Sequence, residues 1–523
     1  MKPTIDFQGH RTEPEAFFHR YLRAASALRE AGVGEGDVVA MMMRNGPAVL
    51  EVMLATRWIG ALWCPINWHF KTDEVQYILS DSGAKVFIAD ADLLGGLQGL
   101  KLDGIATFVD RRGDVPAAQA DRHPGGAAEG LPGGAAAVHA RALPAPGLDW
   151  ATFRDGTPRP TLEASAPRGA MFYTSGTTGR PKGIRRAAST PEQAARGLEI
   201  LRHVLGFEPN MRALVSAPMY HSAPNSFSIG ASMENAHLFI ESRFDAEDTL
   251  RLIEQHRITH AYLVPTMYVR MLKLPEAVRK RYDLSSMRFV SSTGSPCAPD
   301  VKRAMIAWWG PVIHEAYGAS ELGYMTRLDS HEALQKPGSA GKPLPGVQLA
   351  ILDEQGQPVP QGKAGLIYVH QPAYADFSYI GNDAARQKME RAGLKTLGDI
   401  CYIDEDGFLF IVDRSADMVI SGGVNIYPVE IEAVLQMLPG VADCAVFGIP
   451  DAEFGEALAA AVQLSEGAAL SAEDVQAYLK VRLATFKVPK VISFHAQMPR
   501  EDTGKIFKRK LREPYWAGAD RRI

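Results

Sequence analysis

A stretch rich in glycine, hydroxyl side chains and one lysine follows an apolar pair of residues in the first half of the chain. It runs from Tyr173 to Gly183, directly after Met171-Phe172, and includes Ser-Gly-Thr-Thr-Gly. Glycines let a backbone bend so that successive N–H groups point at one anion. The hydroxyls add short donors, and lysine adds a mobile positive charge. The stretch therefore predicts a loop that holds a polyphosphate, with a mobile surface turn as the alternative.

This loop does not have the Walker form, which places four residues between its first glycine and a closing Gly-Lys-Ser/Thr. Lys182 is preceded by Pro181 and followed by Gly183. A proline at this place removes a backbone donor and disfavours a helix through the residue before it. We therefore predict that no Walker-type helix begins here, and a P-loop kinase is excluded.

Two later segments carry groups that suit a nucleotide. His314–Glu321 combines an aromatic side chain, a glycine and a carboxylate. Tyr317 can stack on a purine, and Glu321 can hold Mg²⁺, a hard cation that prefers oxygen ligands. Asp399 precedes a predicted hairpin and can accept hydrogen bonds from ribose hydroxyls. Taken alone, each of these segments is more typical of ordinary structure than of a nucleotide site.

Three segments near the C-terminus are also candidates for function: a possible hinge, a glycine-rich surface and a loop that carries a lysine. Asp413–Asp417 lies where the composition changes, so that a hinge is plausible there. Ser421–Asn425 contains Gly-Gly, and Pro499–Ile506 places Lys505 after a glycine turn. A solvated loop is the ordinary interpretation of the last segment.

The elements that position these groups alternate between strand and helix in the first part of the chain. Apolar spacing predicts helices over Phe17–Ala31 and Pro47–Trp58, and strands over Asp37–Met43 and Ala84–Ala89. This alternation favours a doubly wound α/β layer. Residues 92–149 are dominated by Pro, Gly and Ala, which predicts loops with a few short elements.

Periodic patterns return after the glycine-rich loop. They predict a helix over Asp248–His256, a strand over Ala261–Val264 that ends at Pro265, and a strand over Arg288–Ser292. Gly346–Asp353 and Gly365–His370 have the pattern of strands in a β-rich section, and Tyr402–Val412 that of a hairpin. Downstream, the patterns predict helices over Tyr427–Leu438 and Ala472–Leu483, and strands over Cys444–Ile449 and Leu458–Leu464.

The predicted fold class is thus α/β with two domains. Residues 1–413 form a large N-terminal region of several subdomains, with doubly wound sheets and the β-rich section. Residues 414–523 form a small, mobile α+β domain.

The composition excludes several classes of protein. The 523 residues are 46% hydrophobic and 22% charged with a net charge of −4, so we expect no general attraction to nucleic acid. Four distant cysteines form neither a disulfide framework nor a metal-ligand pattern, which favours a reducing cytoplasm. No signal peptide or transmembrane segment is predicted. A homodimer is expected only because it is the commonest oligomer.

In this order, the segments resemble the AMP-forming adenylating superfamily, which includes acyl-CoA synthetases, peptide-synthetase adenylation domains and firefly-type luciferases. The resemblance covers nearly the whole chain. Within the superfamily, the chain is most similar to bacterial fatty-acyl or bile-acid-type CoA ligases. It implies the substrates and cofactors ATP, Mg²⁺ and CoA. It also implies a reaction in which a hydrophobic carboxylic acid is activated to acyl-AMP, with release of pyrophosphate, and is then transferred to CoA with release of AMP.

The resemblance also implies roles for individual residues. The implied catalytic residues are Lys182, Glu321, His221 and Lys505. By this resemblance, Glu321 also binds the metal, and His221 is a gate between the acyl pocket and the thiol channel. Lys505 is by the same resemblance a mobile lysine that completes the adenylation site. The residues implied to bind ATP or AMP are Thr174, Ser175, Gly176, Thr177, Thr178, Gly179, Ser295, Pro296, Glu315, Ala316, Tyr317, Gly318, Ser320, Asp399 and Arg414. Tyr220, Phe227 and Gly294 are implied for the acyl pocket, and Gly422 and Gly423 for the CoA side.

The chain departs from the superfamily pattern in three places. Ser320 stands where Thr is usual, although the hydroxyl is kept. Glu315 stands where an amide or Asp often contacts adenine. Ala416 replaces the usual charged hinge residue, which weakens any claim that a charge controls domain rotation here.

The segment Tyr220–Gly230 bears on the substrate because it contains no carboxylate. An amino-acid pocket needs an anion for the substrate ammonium, since an unpaired buried charge is costly. We therefore expect an apolar pocket for a fatty, alicyclic or aromatic acid. The alternatives are an acyl-AMP ligase that loads the phosphopantetheine of a carrier protein, a non-catalytic nucleotide or acyl sensor, and a luciferase-type oxygenase.

Overall fold

A computed structural model of the chain describes residues 1–111, 147–158, 163–174, 181–414, 417–421, 424–451, 454–500 and 506–517. The chain forms two compact units. The first comprises Met1–Gly294, Arg303–Tyr324 and Gln371–Gln387, and the second comprises Ser295–Lys302, Met325–His370 and Lys388–Ile523.

The helices are spread over the whole described chain. They are α1 Pro14–Glu30, α2 Pro47–Trp58, α3 Thr72–Ser82, α4 Ala91–Gly95, α5 Trp150–Gly156, α6 Pro191–Leu205, α7 Ser222–Met233, α8 Ala246–His256, α9 Pro265–Leu272, α10 Glu276–Arg279, α11 Pro299–Trp309, α12 Ser330–Gln335, α13 Asp383–Lys388, α14 Pro428–Leu435, α15 Ala472–Lys480 and α16 Lys508–Trp516, with a 3₁₀ turn at Thr485–Lys487. None of these helices combines the length and the apolarity needed to cross a bilayer.

The strands build several sheets. They are β1 Thr4–Phe7, β2 His10–Thr12, β3 Val38–Met42, β4 Leu62–Pro65, β5 Ala84–Asp90, β6 Ala106–Asp110, β7 Leu148–Asp149, β8 Phe172–Thr174, β9 Lys182–Arg186, β10 Arg212–Val215, β11 His237–Ile240, β12 His260–Tyr262, β13 Phe289–Ser292, β14 Ile313–Ala319, β15 Gly323–Leu328, β16 Lys342–Pro343, β17 Gln348–Leu352, β18 Gly365–His370, β19 Phe377–Tyr379, β20 Glu390–Arg391, β21 Leu394–Lys395, β22 Asp399–Ile403, β23 Leu409–Arg414, β24 Val419–Ser421, β25 Val424–Ile426, β26 Val441–Asp451, β27 Gly455–Leu464 and β28 Val491–Phe494.

The first unit contains two parallel sheets and one small antiparallel sheet. In the large sheet the strands of this unit follow the order β14-β13-β12-β10-β11-β1-β2, parallel except for the edge strand β2. The second sheet, β4-β3-β5-β6-β7, is parallel throughout. The connecting helices follow the strands, as parallel pairing requires.

Helix α1 shows why the sequence forms these layers. Pro14 occupies its first turn, where the missing N–H would be unpaired in any case. Phe17, Tyr21, Ala24 and Leu28 recur at helical spacing and are all buried. This apolar stripe packs the helix onto the core, while the opposite face stays in water.

The small antiparallel sheet, β19-β9-β8, contains the ends of the glycine-rich loop. Thr174 ends β8 and Lys182 begins β9, and the two residues are partners in the ladder. The prediction that no helix begins at Lys182 is therefore confirmed.

The second unit is built from antiparallel hairpins. One sheet has the order β20-β21-β18-β22-β23, with β17 also paired to β18. The other has the order β25-β24-β27-β26, and β28 joins β27 in parallel. Helices α14 and α15 cover this last sheet through buried Ile431, Leu435, Val475 and Leu479.

The predicted fold class is confirmed, and most predicted elements occur within a few residues of their expected bounds. Several boundaries were wrong, including the starts of α1, β26 and β27, which each lie three residues before the predicted position. The strand predicted over 261–264 ends at Tyr262, and Pro265 begins α9. The helices predicted to end at 438 and 483 end at Leu435 and Lys480. The domain boundary after residue 413 stays a prediction.

Candidate active site

The carboxyl edge of the large sheet brings several predicted segments together in the first unit. Thr293-Gly294 follows β13, and Ser320-Glu321 follows β14. The segment that leads to His221 follows β10. Since these strands are parallel, the residues after them lie at one edge, where α/β sheets bind their ligands.

Glu321 is the most constrained carboxylate at this edge. The hydroxyl groups of Thr174 and Tyr379 each donate a hydrogen bond to its Oε1 atom, both at 3.1 Å. The residue is only 8% exposed. Burial and the neighbouring carboxylate raise the pKa of the Tyr379 phenol, so the phenol stays a hydrogen-bond donor.

Lys182 belongs to the same group. Its ammonium lies 5.1 Å from the centre of the Tyr379 ring. Tyr379 therefore contacts both the lysine and the carboxylate that were predicted to act on phosphate, and Thr174 binds the same carboxylate oxygen. A ring face next to a cation contributes roughly 0.5–1 kcal/mol when exposed and more when desolvated.

Two glycines allow the close approach of neighbouring backbone and rings. A Cβ atom on Gly318 would lie 2.6 Å from the Gly323 carbonyl oxygen. A Cβ atom on Gly183 would lie 2.8 Å from the ring of Tyr173. The Tyr173 hydroxyl donates to Asp81 at 2.8 Å, which fixes that ring in place.

The N-terminal end of α7 faces the Glu321 loop. The Ser320 hydroxyl donates to the Ser222 hydroxyl at 2.9 Å. His221 precedes the helix, and its Nε2 atom is buried and makes no hydrogen bond within the described part of the chain. Burial, and to a smaller extent His69, lowers the pKa of His221 to about 4. The imidazole is therefore neutral at physiological pH.

The acyl-pocket candidates fall into two aromatic groups. Phe227 lies against Phe207 and Tyr262, with ring centres 5.7 and 6.1 Å away. The Tyr262 hydroxyl donates to the carbonyl oxygen of Thr293, next to Gly294, where a Cβ atom would meet nothing within 4 Å. Tyr220 instead packs edge-on against Trp68 at 6.2 Å. The structure thus connects Phe227 to Gly294 through Tyr262.

The remaining candidates of the first unit lie along β14. Glu315 is the ladder partner of Ser292, so Ala316 and Tyr317 lie where β13 has ended. Ala316 is buried, and Tyr317 is half-buried. This placement puts Tyr317 at the carboxyl edge of the sheet, and its role in adenine binding stays a prediction.

Within the second unit, Asp399 and Arg414 are direct partners in the ladder between β22 and β23. Their predicted common role as a ribose clamp stays a prediction. Ser295 and Pro296 also belong to this unit and precede α11. Their role in adenine binding stays a prediction.

Several predicted site residues lie outside the described residues. They are Ser175, Gly176, Thr177, Thr178, Gly179, Gly422, Gly423 and Lys505. Their roles also stay predictions.

The sequence reasoning missed Tyr379 and Arg186. Tyr379 lies 58 residues from Glu321 in sequence and has no motif around it. Arg186 follows the glycine-rich loop, and only the unusual pair Arg185-Arg186 in a strand pattern marked it.

Comparison with known proteins decides the family. Residues 5–376 match the model described as AMP-binding enzyme, and residues 430–505 match the AMP-binding enzyme C-terminal domain. The chain belongs to the AMP-binding enzyme family. The predicted resemblance to the AMP-forming adenylating superfamily is thereby confirmed.

Similar proteins share this organisation over nearly their whole length. A feruloyl-CoA synthase of Amycolatopsis sp. is 32% identical over 95% of this chain and 92% of its own. A long-chain-fatty-acid–CoA ligase of Mycobacterium tuberculosis is 31% identical over 95% of this chain and 91% of its own. The crystal structure of ATP-bound MatB from Rhodopseudomonas palustris has a TM-score of 0.81 and 28% identity, and the match covers 98% of this chain and 96% of that one. These relatives confirm the predicted enzyme class, an ATP-dependent acid–CoA ligase.

Proposed function

We propose that this protein activates a hydrophobic carboxylic acid with ATP, forming acyl-AMP and pyrophosphate, and then transfers the acyl group to CoA with release of AMP. The observation that carries the proposal is the group of Thr174, Lys182, Tyr379 and Glu321. It joins a lysine, hydroxyl donors and one buried carboxylate at the end of the glycine-rich loop. Such a set suits a polyphosphate with its counter-cation.

The residues fit Mg²⁺ in the way that nucleotide enzymes use it. The described residues contain no cluster of three or more His, Cys, Asp or Glu side chains that would form a complete metal cage. Mg²⁺ in such enzymes is instead held by one or two carboxylates together with substrate phosphates. We propose Glu321 as that carboxylate. When bound, the cation supplies charge neutralisation for the phosphates.

The chemistry requires two anions to meet, because the substrate carboxylate must attack the α-phosphorus of ATP. Catalysis is then mainly positioning and electrostatic stabilisation, without a protein nucleophile. We propose that Lys182 neutralises charge on the leaving pyrophosphate. We propose that Lys505 bridges the carboxylate and the α-phosphate in the first half-reaction and is not needed in the second.

The geometry of helix α7 favours a substrate of limited length. Ser222, Ala223 and Ser226 are partly accessible on one side of the helix, and Ser222 touches the Glu321 loop. Two turns further along, Gly230 is buried, and a Cβ atom there would lie 2.0 Å from the Phe207 ring. Phe207 therefore covers the helix about 12 Å from Ser222. We propose a compact, ring-sized acid as the preferred substrate.

A screen for pyrophosphate release across carboxylic acids tests this function. The panel contains arylpropenoic, benzoic, alicyclic, medium-chain and long-chain fatty acids and an amino acid, each with and without CoA. We expect AMP and acyl-CoA as products and faster turnover with ring-containing acids than with the long-chain acid. Formation of ADP, or fastest turnover of the amino acid, would contradict the proposal.

Competition distinguishes CoA from a carrier protein as the acyl acceptor. With both thiols present, we expect acyl transfer mainly to free CoA. Preferential loading of the carrier protein would support the acyl-AMP ligase alternative. We also propose a reducing compartment such as the cytoplasm, because all four cysteines of the chain are buried free thiols.

A further inference from the structure

Arg186 has an unusual position for an arginine, because it lies largely inside the first unit beside the Glu321 loop. It is the last residue of β9, four residues after Lys182. Side chains alternate between the two faces of a strand, so Lys182 and Arg186 share one face and Arg185 lies on the other. Arg185 is exposed, whereas Arg186 is partly buried.

The guanidinium of Arg186 donates hydrogen bonds to the main chain at Ser320 and Glu321. Its Nη2 atom donates to the carbonyl oxygens of Ser320 and Glu321 at 2.8 and 2.7 Å. Its Nη1 atom donates to the carbonyl oxygen of Ala375 at 2.9 Å. The same charge thus joins the loop after β14 to the segment before β19.

The ring of Tyr374 adds further contacts beside Arg186 and the Glu321 loop. The Arg186 guanidinium carbon lies 5.5 Å from the centre of the Tyr374 ring. A Cβ atom on Gly323, two residues after Glu321, would lie 2.3 Å from that ring. The backbone of the loop is therefore fixed on one side by Arg186 and Tyr374, while Thr174 and Tyr379 fix the carboxylate itself.

We propose that Arg186 is a positioning residue that holds the Ser320-Glu321 backbone, so that the Glu321 carboxylate is presented to the cation that accompanies ATP. This inference rests on the proposed function, because it assigns Arg186 to the same site. The guanidinium makes its bonds as a planar fork, which the single ammonium of a lysine does not reproduce. A lysine at this position would keep the buried charge and lose the geometry.

The test compares Arg186→Lys and Arg186→Gln with Arg185→Gln, a matched control on the exposed face of the same strand. Two quantities are measured: ATP binding by calorimetry with and without Mg²⁺, and the Mg²⁺ concentration that gives half-maximal ATP–pyrophosphate exchange. Support around a metal ligand typically contributes about 10–100-fold in metal affinity. We expect both Arg186 variants to need about 10-fold more Mg²⁺ and to lose most of the Mg²⁺-dependent gain in ATP binding, while Arg185→Gln behaves like the wild type.

A double-mutant cycle with Glu321→Gln separates positioning from general structural support. If Arg186 acts through Glu321, adding Arg186→Lys to Glu321→Gln should lower the exchange rate by less than about twofold, because the two residues are coupled. If Arg186→Gln fails to fold, the Mg²⁺ requirement of Arg186→Lys alone tests the inference, since this variant keeps the charge and most of the side-chain length.

The inference is overturned if the Mg²⁺ requirement of Arg186→Lys equals that of the wild type, or if the losses of the two substitutions multiply. A wild-type protein that catalyses no exchange with any acid would instead overturn the proposed function. The calorimetric comparison does not depend on turnover, so the two failures are distinguishable.

Discussion

At the scale of single residues, the site depends on hydroxyl donors and on glycines that admit close contacts. Thr174 and Tyr379 each place one hydroxyl on the same oxygen of Glu321, and Gly318 and Gly323 let the neighbouring chain and ring approach. A buried carboxylate is costly unless it is hydrogen-bonded. The two hydroxyls offset part of that cost, and under the proposed function the cation that accompanies ATP would offset more of it.

Replacing Gly318 by alanine tests the close contact behind the Glu321 loop. The new methyl group would meet the Gly323 carbonyl oxygen at 2.6 Å and the Tyr324 Cα atom at 3.0 Å, and neither backbone atom yields easily. Forcing extra atoms into a packed site costs roughly 1–3 kcal/mol. We expect a lower thermal midpoint and slower pyrophosphate exchange.

The matched control is Gly169→Ala, because a Cβ atom there would meet nothing within 4 Å and the backbone needs no positive φ. It should leave both quantities unchanged. Equal behaviour of the two variants would show that the tight packing at Gly318 does not matter.

At the scale of elements, the carboxyl ends of the parallel strands collect polar groups beyond the site residues. Glu241 follows β11, is 5% exposed, and accepts hydrogen bonds from the Thr249 hydroxyl on both oxygens, at 3.2 and 3.1 Å. Burial raises the pKa of Glu241 to about 8, although the Thr249 hydrogen bonds oppose the shift. The folded protein therefore keeps this carboxyl protonated at neutral pH.

The raised pKa of Glu241 has a defined consequence for stability. Between its ordinary pKa of 4.5 and about 8, the unfolded chain releases the proton while the folded protein keeps it. The free energy of unfolding therefore falls as pH rises through this window. Glu241→Gln removes the titration, so the variant should gain stability over the wild type at pH 8 relative to pH 5.5, by about 1–4 kcal/mol.

Unfolding midpoints at the two pH values measure this effect. The exposed Glu199→Gln on α6 serves as the control and should show no such trend. A Glu241→Gln variant that is less stable at both values by the same amount would mean that Glu241 is ionised in the folded protein.

Local signals explain which elements were predictable. The helix over Pro47–Trp58 was predicted to the residue, since Pro47 marks its start and Gly60 its stop. The strand over Gly365–His370 was predicted equally well. The strand before Pro265 was predicted too long. Proline has the same fixed φ after a strand and at the start of a helix, and the sequence does not show how many residues separate the strand from the helix.

The contacts that assemble the site join residues far apart in the sequence, so local sequence patterns could not predict them. Arg186 binds residues 134 and 135 positions away in sequence, and Tyr379 binds a residue 58 positions away. Thr174, Lys182 and Glu321 were predicted from local composition together with the resemblance to family motifs, and the structure places them together. Arg186 and Tyr379 belong to no such motif, so only the packing of the chain identifies them.

At the scale of the whole molecule, the proposed mechanism uses groups from both parts of the family match. The candidates for phosphate and metal lie between residues 5 and 376, and Lys505 ends the match to the C-terminal domain. Two half-reactions with different needs follow from this separation. Under the proposed function, the first joins two anions and uses the Lys505 charge, whereas the second is attack of a thiol on an activated acyl group.

The most direct test is to measure the two half-reactions of Lys505→Ala separately, with Lys510→Ala, an exposed lysine on α16, as a control for loss of a cation in the same part of the chain. Removing one preorganised charge contact costs roughly 10²–10³-fold in rate. We predict that adenylate formation falls by at least that factor in Lys505→Ala, while thioester formation from supplied acyl-adenylate changes less than about tenfold. Equal losses in both half-reactions would contradict the account.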